Sequence, residues 1–190
     1  MHRTPKWQAR MIVVLLLALL SSCGEQLPVG NQFAEGKPLP LLRLTDLNGA
    51  AVSSRSFEGK LLVLNVWGSW CPPCRKEMPG LQRLSERLDA RLFAVAGLSV
   101  DRDVMRVSEF VGRYGITFEN FVDPGGRLAK KLGVDAYPET LLLAPDGTLI
   151  RRVQGEQDWN SPETVRMLEA LQRGYQIATH EHQADRQERK

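Results

Sequence analysis

Histidine is almost missing from this chain. Of 190 residues only His2, His180 and His182 carry an imidazole, and none lies between Gly24 and Thr179. A Cys–His hydrolase needs an imidazole beside its nucleophile, so that chemistry is excluded from the interior. Cysteine is nearly as scarce, with Cys23, Cys71 and Cys74 alone, which leaves any zinc site short of ligands. His180-Glu181-His182 sits in a charged tail with no further ligand near it in sequence, so neither a metal nor a cofactor is expected. The unbroken apolar run, Met11 to Leu20, has ten residues, about half of what a spanning helix needs. An excess of positive charge is missing too. The chain has 25 Lys+Arg against 22 Asp+Glu, but Arg3, Lys6 and Arg10 belong to the amino terminus, and residues 23–190 hold 22 of each sign. The pI near 8.9 is therefore no sign of a nucleic-acid partner, and none is expected.

The amino terminus reads as an export signal. Basic residues precede a short apolar core, and Leu20-Ser21-Ser22-Cys23 resembles the lipobox of bacterial lipoproteins. That resemblance implies a signal peptide over 1–22, lipidation of Cys23 and attachment to a membrane through the lipid, with the rest of the chain outside the cytoplasm. An ordinary cleavage site with a spare cysteine is the alternative. Residues 23–36 are polar, with Gly, Pro and Gln and no periodicity, and read as a tether. A domain over 37–176 and a polar tail over 177–190 complete the organisation. With 43% hydrophobic residues the chain has the material for one core.

What the chain does contain is Trp70-Cys71-Pro72-Pro73-Cys74, placed where a strand pattern, Leu61 to Trp67, runs into a helical one. A helix start offers unpaired N–H groups and the positive end of the dipole, which favour thiolate over thiol. Cys71 is thus the candidate nucleophile and Cys74 the resolving thiol. Pro72 and Pro73 suit a first turn whose amide protons have no helical partner. Two residues between sulfurs suit a reversible disulfide, and export makes that chemistry plausible.

The rest of the pattern alternates. Leu41 to Asp46 and Ala51 to Ser53 flank Asn48-Gly49 as an N-terminal hairpin. After the cysteines, Met78, Leu81, Leu84 and Leu88 mark the buried face of a helix, which Pro79 should kink. Arg91 to Val100 reads as a strand covered on both faces, Asp103 to Tyr114 as a helix with Gly115 at its end, Thr117 to Val122 as a short strand, and Pro124 to Leu132 as a helix started by Asp123. Glu139 to Ala144 and Thr148 to Gly155 flank Pro145-Asp146-Gly147 as a second hairpin, and Ser161-Pro162-Glu163 opens a last helix with Val165, Leu168 and Leu171 inward. The fold class is α/β, one mixed central sheet with helices on both faces.

The cysteine motif, Pro79, the Pro138 segment and the final hairpin and helix together resemble a thioredoxin-like fold. The strand-helix insertion from about Arg91 to Val134 is similar to that of the TlpA/ResA/CcmG group of membrane-anchored thiol–disulfide oxidoreductases. Cys74 through Pro79 and Asp158 through Glu163 look most like TlpA, whereas Pro138-Glu139-Thr140 is similar to CcmG, so both roles stay open. The resemblance implies a Cys71–Cys74 redox disulfide and reduction of protein disulfides, such as those of apocytochrome c or of copper-site cysteines. It also implies a membrane electron donor of DsbD/CcdA type. Glu77, one turn beyond Cys74, resembles the active-site glutamate of the ResA group and takes the acid–base role, because the position of thioredoxin's buried aspartate is Asn65 here. Pro138 resembles the cis-proline facing the cysteines, with Tyr137 offering its backbone to substrate and Trp70 lining the docking surface. A Cu(I) carrier using the same two thiolates is the competing reading.

Overall fold

The computed structural model describes residues 33–189. Cys23, the expected signal peptide and residues 23–32 of the expected tether lie outside the described residues. The strands are β1 (Arg43–Thr45), β2 (Ala51–Ser53), β3 (Leu61–Trp67), β4 (Phe93–Ser99), β5 (Glu119–Val122), β6 (Glu139–Leu143) and β7 (Leu149–Gln154). The helices are α1 (Pro72–Arg87), α2 (Val104–Arg113), α3 (Arg127–Lys131) and α4 (Pro162–Glu188).

Every residue of β3 is buried, as a continuous apolar run with two covered faces requires. It is the middle strand of the order β5-β4-β3-β6-β7, parallel to β4 and antiparallel to β6. Alternation sends Leu61, Val63 and Trp67 into one core and Leu62, Leu64 and Val66 into the other. The first core is closed by α1, α2 and α4 through Met78, Leu84, Phe110 and Leu168. The second is closed by α3 and by the β1–β2 hairpin, which forms a separate two-stranded sheet and contributes Leu42 and Leu44. The α/β class, the mixed sheet with helices on both faces, the N-terminal hairpin and the inserted β4-α2-β5-α3 unit all stand as the sequence implied.

Local differences have physical causes. Helix α1 runs through Pro79 to Arg87. An internal proline costs about 3 kcal/mol, but Met78, Leu81 and Leu84 are fully buried on that helix, and each such burial contributes about 1.5–3 kcal/mol. Leu88 is not helical; it is the extended C-cap, still buried, with its N–H on Leu84 O. Helix α3 begins at Arg127, three residues later than Pro124, because Gly126 has φ +70° and cannot continue a right-handed turn. Asp123 still serves this helix, accepting the Ala129 N–H at 2.8 Å. β5 starts at Glu119, since Thr117 is engaged with Gln82 through its N–H. Helix α4 continues to Glu188, across the stretch read as a polar tail. Residues 36–39 exchange backbone hydrogen bonds with the Gly147–Leu149 segment, and Glu35 accepts the Arg152 N–H, so the chain is held along β7 before the domain proper. No helix among the described residues is long and apolar enough to cross a membrane.

Candidate active site

The parallel strands β3 and β4 end side by side, and the site is built on the loops that leave them. From β3 the chain passes through Gly68, whose missing Cβ leaves room for the Trp70 indole; a Cβ there would lie 2.8 Å from the ring. It then enters α1 with Cys71 as the N-cap in extended conformation. Cys71 and Cys74 are joined as a disulfide, with Cα atoms 5.3 Å apart. Cys71 Sγ accepts the Cys74 N–H at 3.3 Å, the contact by which a cap residue satisfies an otherwise unpaired helical donor. In the reduced protein this donor and the helix dipole would both favour a Cys71 thiolate.

Across from the sulfurs the Tyr137–Pro138 bond is cis, and the Tyr137 carbonyl oxygen lies 3.7 Å from Cys71 Sγ. Trp70 is 58% exposed and meets the Tyr137 ring edge to face at 5.9 Å. Cys71 is only 4% exposed against 0% for Cys74, because Tyr137 and the first turn of α1 close over it in the disulfide state.

Glu77 is no solvated helix residue: it is 3% exposed. Its Oε1 accepts the Asn65 amide at 2.7 Å, and its Oε2 accepts the Gln157 N–H and the Trp159 indole N–H, both at 3.1 Å. Burial pushes its pKa up, more than these donors and against them, and the nearby Glu156 charge adds to the rise. None of its hydrogen bonds among the described residues goes to a sulfur. Burial also pushes the Tyr137 phenol up, with help from Asp123 and Asp135.

Three participants were not identified from sequence. Asn65, read there only as a residue unable to carry a proton, holds both Glu77 and, at 2.9 Å, Thr140 on the neighbouring strand β6. Trp159 is 1% exposed and clamps the same carboxylate from the segment between β7 and α4. Asp101, 2% exposed, accepts from Ser69 N at 2.8 Å, Ser69 Oγ at 2.6 Å and Ser99 Oγ at 2.7 Å, which ties the end of β4 to the loop carrying Trp70 and Cys71. Its one legible signal was an acidic residue directly after an apolar strand, at the carboxyl end where α/β sheets place their chemistry. Among the described residues no group of three or more His, Cys, Asp or Glu side chains is placed to hold a metal ion.

Residues 34–171 match the Redoxin family. Thiol-disulfide oxidoreductase ResA of Bacillus thuringiensis subsp. konkukian is 35% identical over 150 residues, 76% of this chain and 87% of that protein. A secreted Mycobacterium tuberculosis disulfide oxidoreductase homologous to E. coli DsbE superposes with a TM-score of 0.59 at 26% identity, covering 68% of this chain and 95% of that one. A thioredoxin family thiol:disulfide interchange protein from Chlorobium tepidum TLS gives 0.61 at 22% identity, over 71% and 97% of the two chains, and supports the fold alone. A helix-capping sulfur in a two-residue disulfide, a facing cis-proline and a buried glutamate one turn on are thus set in a chain that belongs to the Redoxin family, as a ResA/DsbE-like thiol–disulfide oxidoreductase.

Proposed function

We propose that this oxidoreductase works outside the cytoplasmic membrane, held by a lipid on Cys23, and reduces disulfides of exported proteins through Cys71, with Cys74, Glu77, Trp70, Tyr137 and Pro138 completing the site. The observation that carries this reading is the Cys71 Sγ at the N-cap of α1, beside the Tyr137 carbonyl. A thiolate formed there attacks one sulfur of a partner disulfide, making a mixed disulfide and expelling the other sulfur as a thiolate. Cys74 then attacks Cys71 Sγ, which releases the second partner sulfur and closes the Cys71–Cys74 bond. Two electrons pass to the partner and the enzyme is left oxidised. A dithiol donor in the membrane, of DsbD/CcdA type, restores the reduced pair.

The Tyr137 backbone pairs with the extended partner segment, as strand addition to a free edge does, and Trp70 supplies an amphipathic wall. Apocytochrome c haem-site cysteines and copper-site cysteines are the substrates that the family resemblance suggests. Residues 1–22 act as the signal peptide, 23–36 as the tether, 37–176 as the working domain and 177–190 as its polar extension.

Trapping tests the division of labour. Cys74→Ser should accumulate reductant-sensitive mixed disulfides through Cys71, and Cys71→Ser should trap almost none. If both variants trapped equally, or if neither did while the reduced protein bound Cu(I) tightly, a metal-carrier role would replace this one.

A further inference from the structure

We propose that the face formed by the start of α1 and by α2 docks a partner polypeptide whose reacting cysteine is flanked by acidic residues; this rests on the disulfide-exchange reading above and names its partner's chemistry. Two clefts of about 440 Å³ each meet at Asp103 and Arg106 beside the site. One runs past Trp70, Tyr137 and Arg102, the other past Arg75, Met105, Arg113 and Tyr114. Trp70, Met105 and Tyr114 are 58%, 62% and 42% exposed and make up three of the five large exposed hydrophobic residues among those described. Exposed apolar side chains gathered at one edge of a reactive disulfide mark a contact surface.

Charge selects the occupant. Arg75, Arg102, Arg106 and Arg113 line these clefts, against the three carboxylates Asp101, Asp103 and Glu109. Asp101 is buried and taken up by Ser69 and Ser99. Asp103 is already committed, capping α2 through the Met105 N–H and pairing with Arg106 at 3.9 Å. Arg102 and Arg113 have no carboxylate within ion-pair distance among the described residues. Lys76, on the neighbouring turn, is neutralised by Glu156 and adds nothing. On the far side of Tyr137, Asp123 and Asp135 lie near enough to act on its phenol, and Asp123 is buried and bound to the Ala129 N–H. The site is therefore basic toward α2, and it steers a segment whose acidic residues lie toward that helix. The guanidinium groups of Arg75, Arg102 and Arg113, spread over the two clefts and outside any carboxylate pair among the described residues, act chiefly on encounter rate.

The test uses the reduced full chain and disulfide-bonded peptides of one core sequence, flanked by Asp, Gln or Lys, with glutathione disulfide as a small anionic comparator. The Asp peptide should be reduced about tenfold faster than the Lys peptide at low ionic strength, with the ratio falling toward one in high salt. Arg106→Glu combined with Arg113→Glu should invert the preference, while Arg173→Glu, on the exposed side of α4, should leave it as it is. Equal rates for Asp and Lys peptides, an inversion equally produced by Arg173→Glu, or glutathione disulfide matching the Asp peptide in rate and salt dependence would each overturn the proposal. Absence of exchange with every disulfide would instead remove the oxidoreductase reading beneath it.

Discussion

The Asn65 amide donates to Glu77 Oε1 at 2.7 Å across the layer between β3 and α1, and so fixes a carboxyl group buried one turn beyond Cys74. All three partners of this carboxylate, Asn65, Gln157 and Trp159, are donors. The hydrogen-bond set therefore suits the ionised form, while burial suits the neutral form. Burial is the stronger of the two, and the pKa is raised. A carboxyl group held by these opposing influences changes protonation at a higher pH than a surface glutamate at the ordinary value of 4.5.

This raised pKa has a consequence for stability with a definite sign. The folded protein binds the Glu77 proton more tightly than the unfolded chain, so the contribution is fully present below the ordinary value of 4.5 and is lost as pH rises through the folded pKa. Wild type should accordingly lose thermal stability relative to Glu77→Gln as pH rises above 4.5 and through the folded pKa. Melting curves of both proteins across that range provide the check, and parallel curves would show that Glu77 does not titrate differently on folding.

Replacing Asn65 with Asp would set two carboxyl groups where an amide and a carboxylate now touch. Like charges at that distance cannot both ionise, so one proton should be held into the alkaline range and the pair should titrate as a unit. Asn65→Asp should cost about 3 kcal/mol at alkaline pH, where an unpaired buried charge is forced, and much less in acid. Denaturant unfolding at both pH values measures the difference.

Much of this was legible in the sequence, for reasons that differ by element. The buried strand before the cysteines showed as an apolar run from Leu61, and Cys71-Pro72-Pro73-Cys74 announced a helix start because proline and a capping sulfur fit only there. Pro138 was found by resemblance, and the cis bond agrees with it. Asn65, Asp101 and Trp159 escaped because their roles depend on contacts 12, 32 and 82 residues away in the chain. Periodicity records which face a residue takes, not which partner waits on it. The start of α3 was misplaced because two consecutive left-handed glycines, Gly125 and Gly126, look from sequence like a tolerable helix entrance.

Lipid attachment is open to direct assay. Cys23→Ser should move the protein out of the membrane fraction or leave it unprocessed, because a ten-residue apolar run cannot anchor by spanning. Unchanged fractionation with no loss of lipid label would refute attachment at this cysteine.

Asp101 offers the sharpest test of how the reactive loop is held. Its two carboxylate oxygens take the Ser69 N–H, the Ser69 hydroxyl and the Ser99 hydroxyl, so a single side chain sets the loop that carries Trp70 and Cys71 against the end of β4. Asp101→Ala would strand the buried Ser99 hydroxyl and the half-buried Ser69 amide and hydroxyl, at about 1–3 kcal/mol for each donor left unsatisfied without water. A loss of stability alone would be ordinary. The positioning role predicts more: the rate of exchange with protein disulfides should fall more than the rate with a small disulfide, since only the larger partner needs Trp70 and Tyr137 in place. Asp101→Asn, which keeps an acceptor for the Ser69 N–H, should recover part of the stability and part of that selectivity. If both variants slowed the two reactions equally, Asp101 would be a structural residue with no influence on docking.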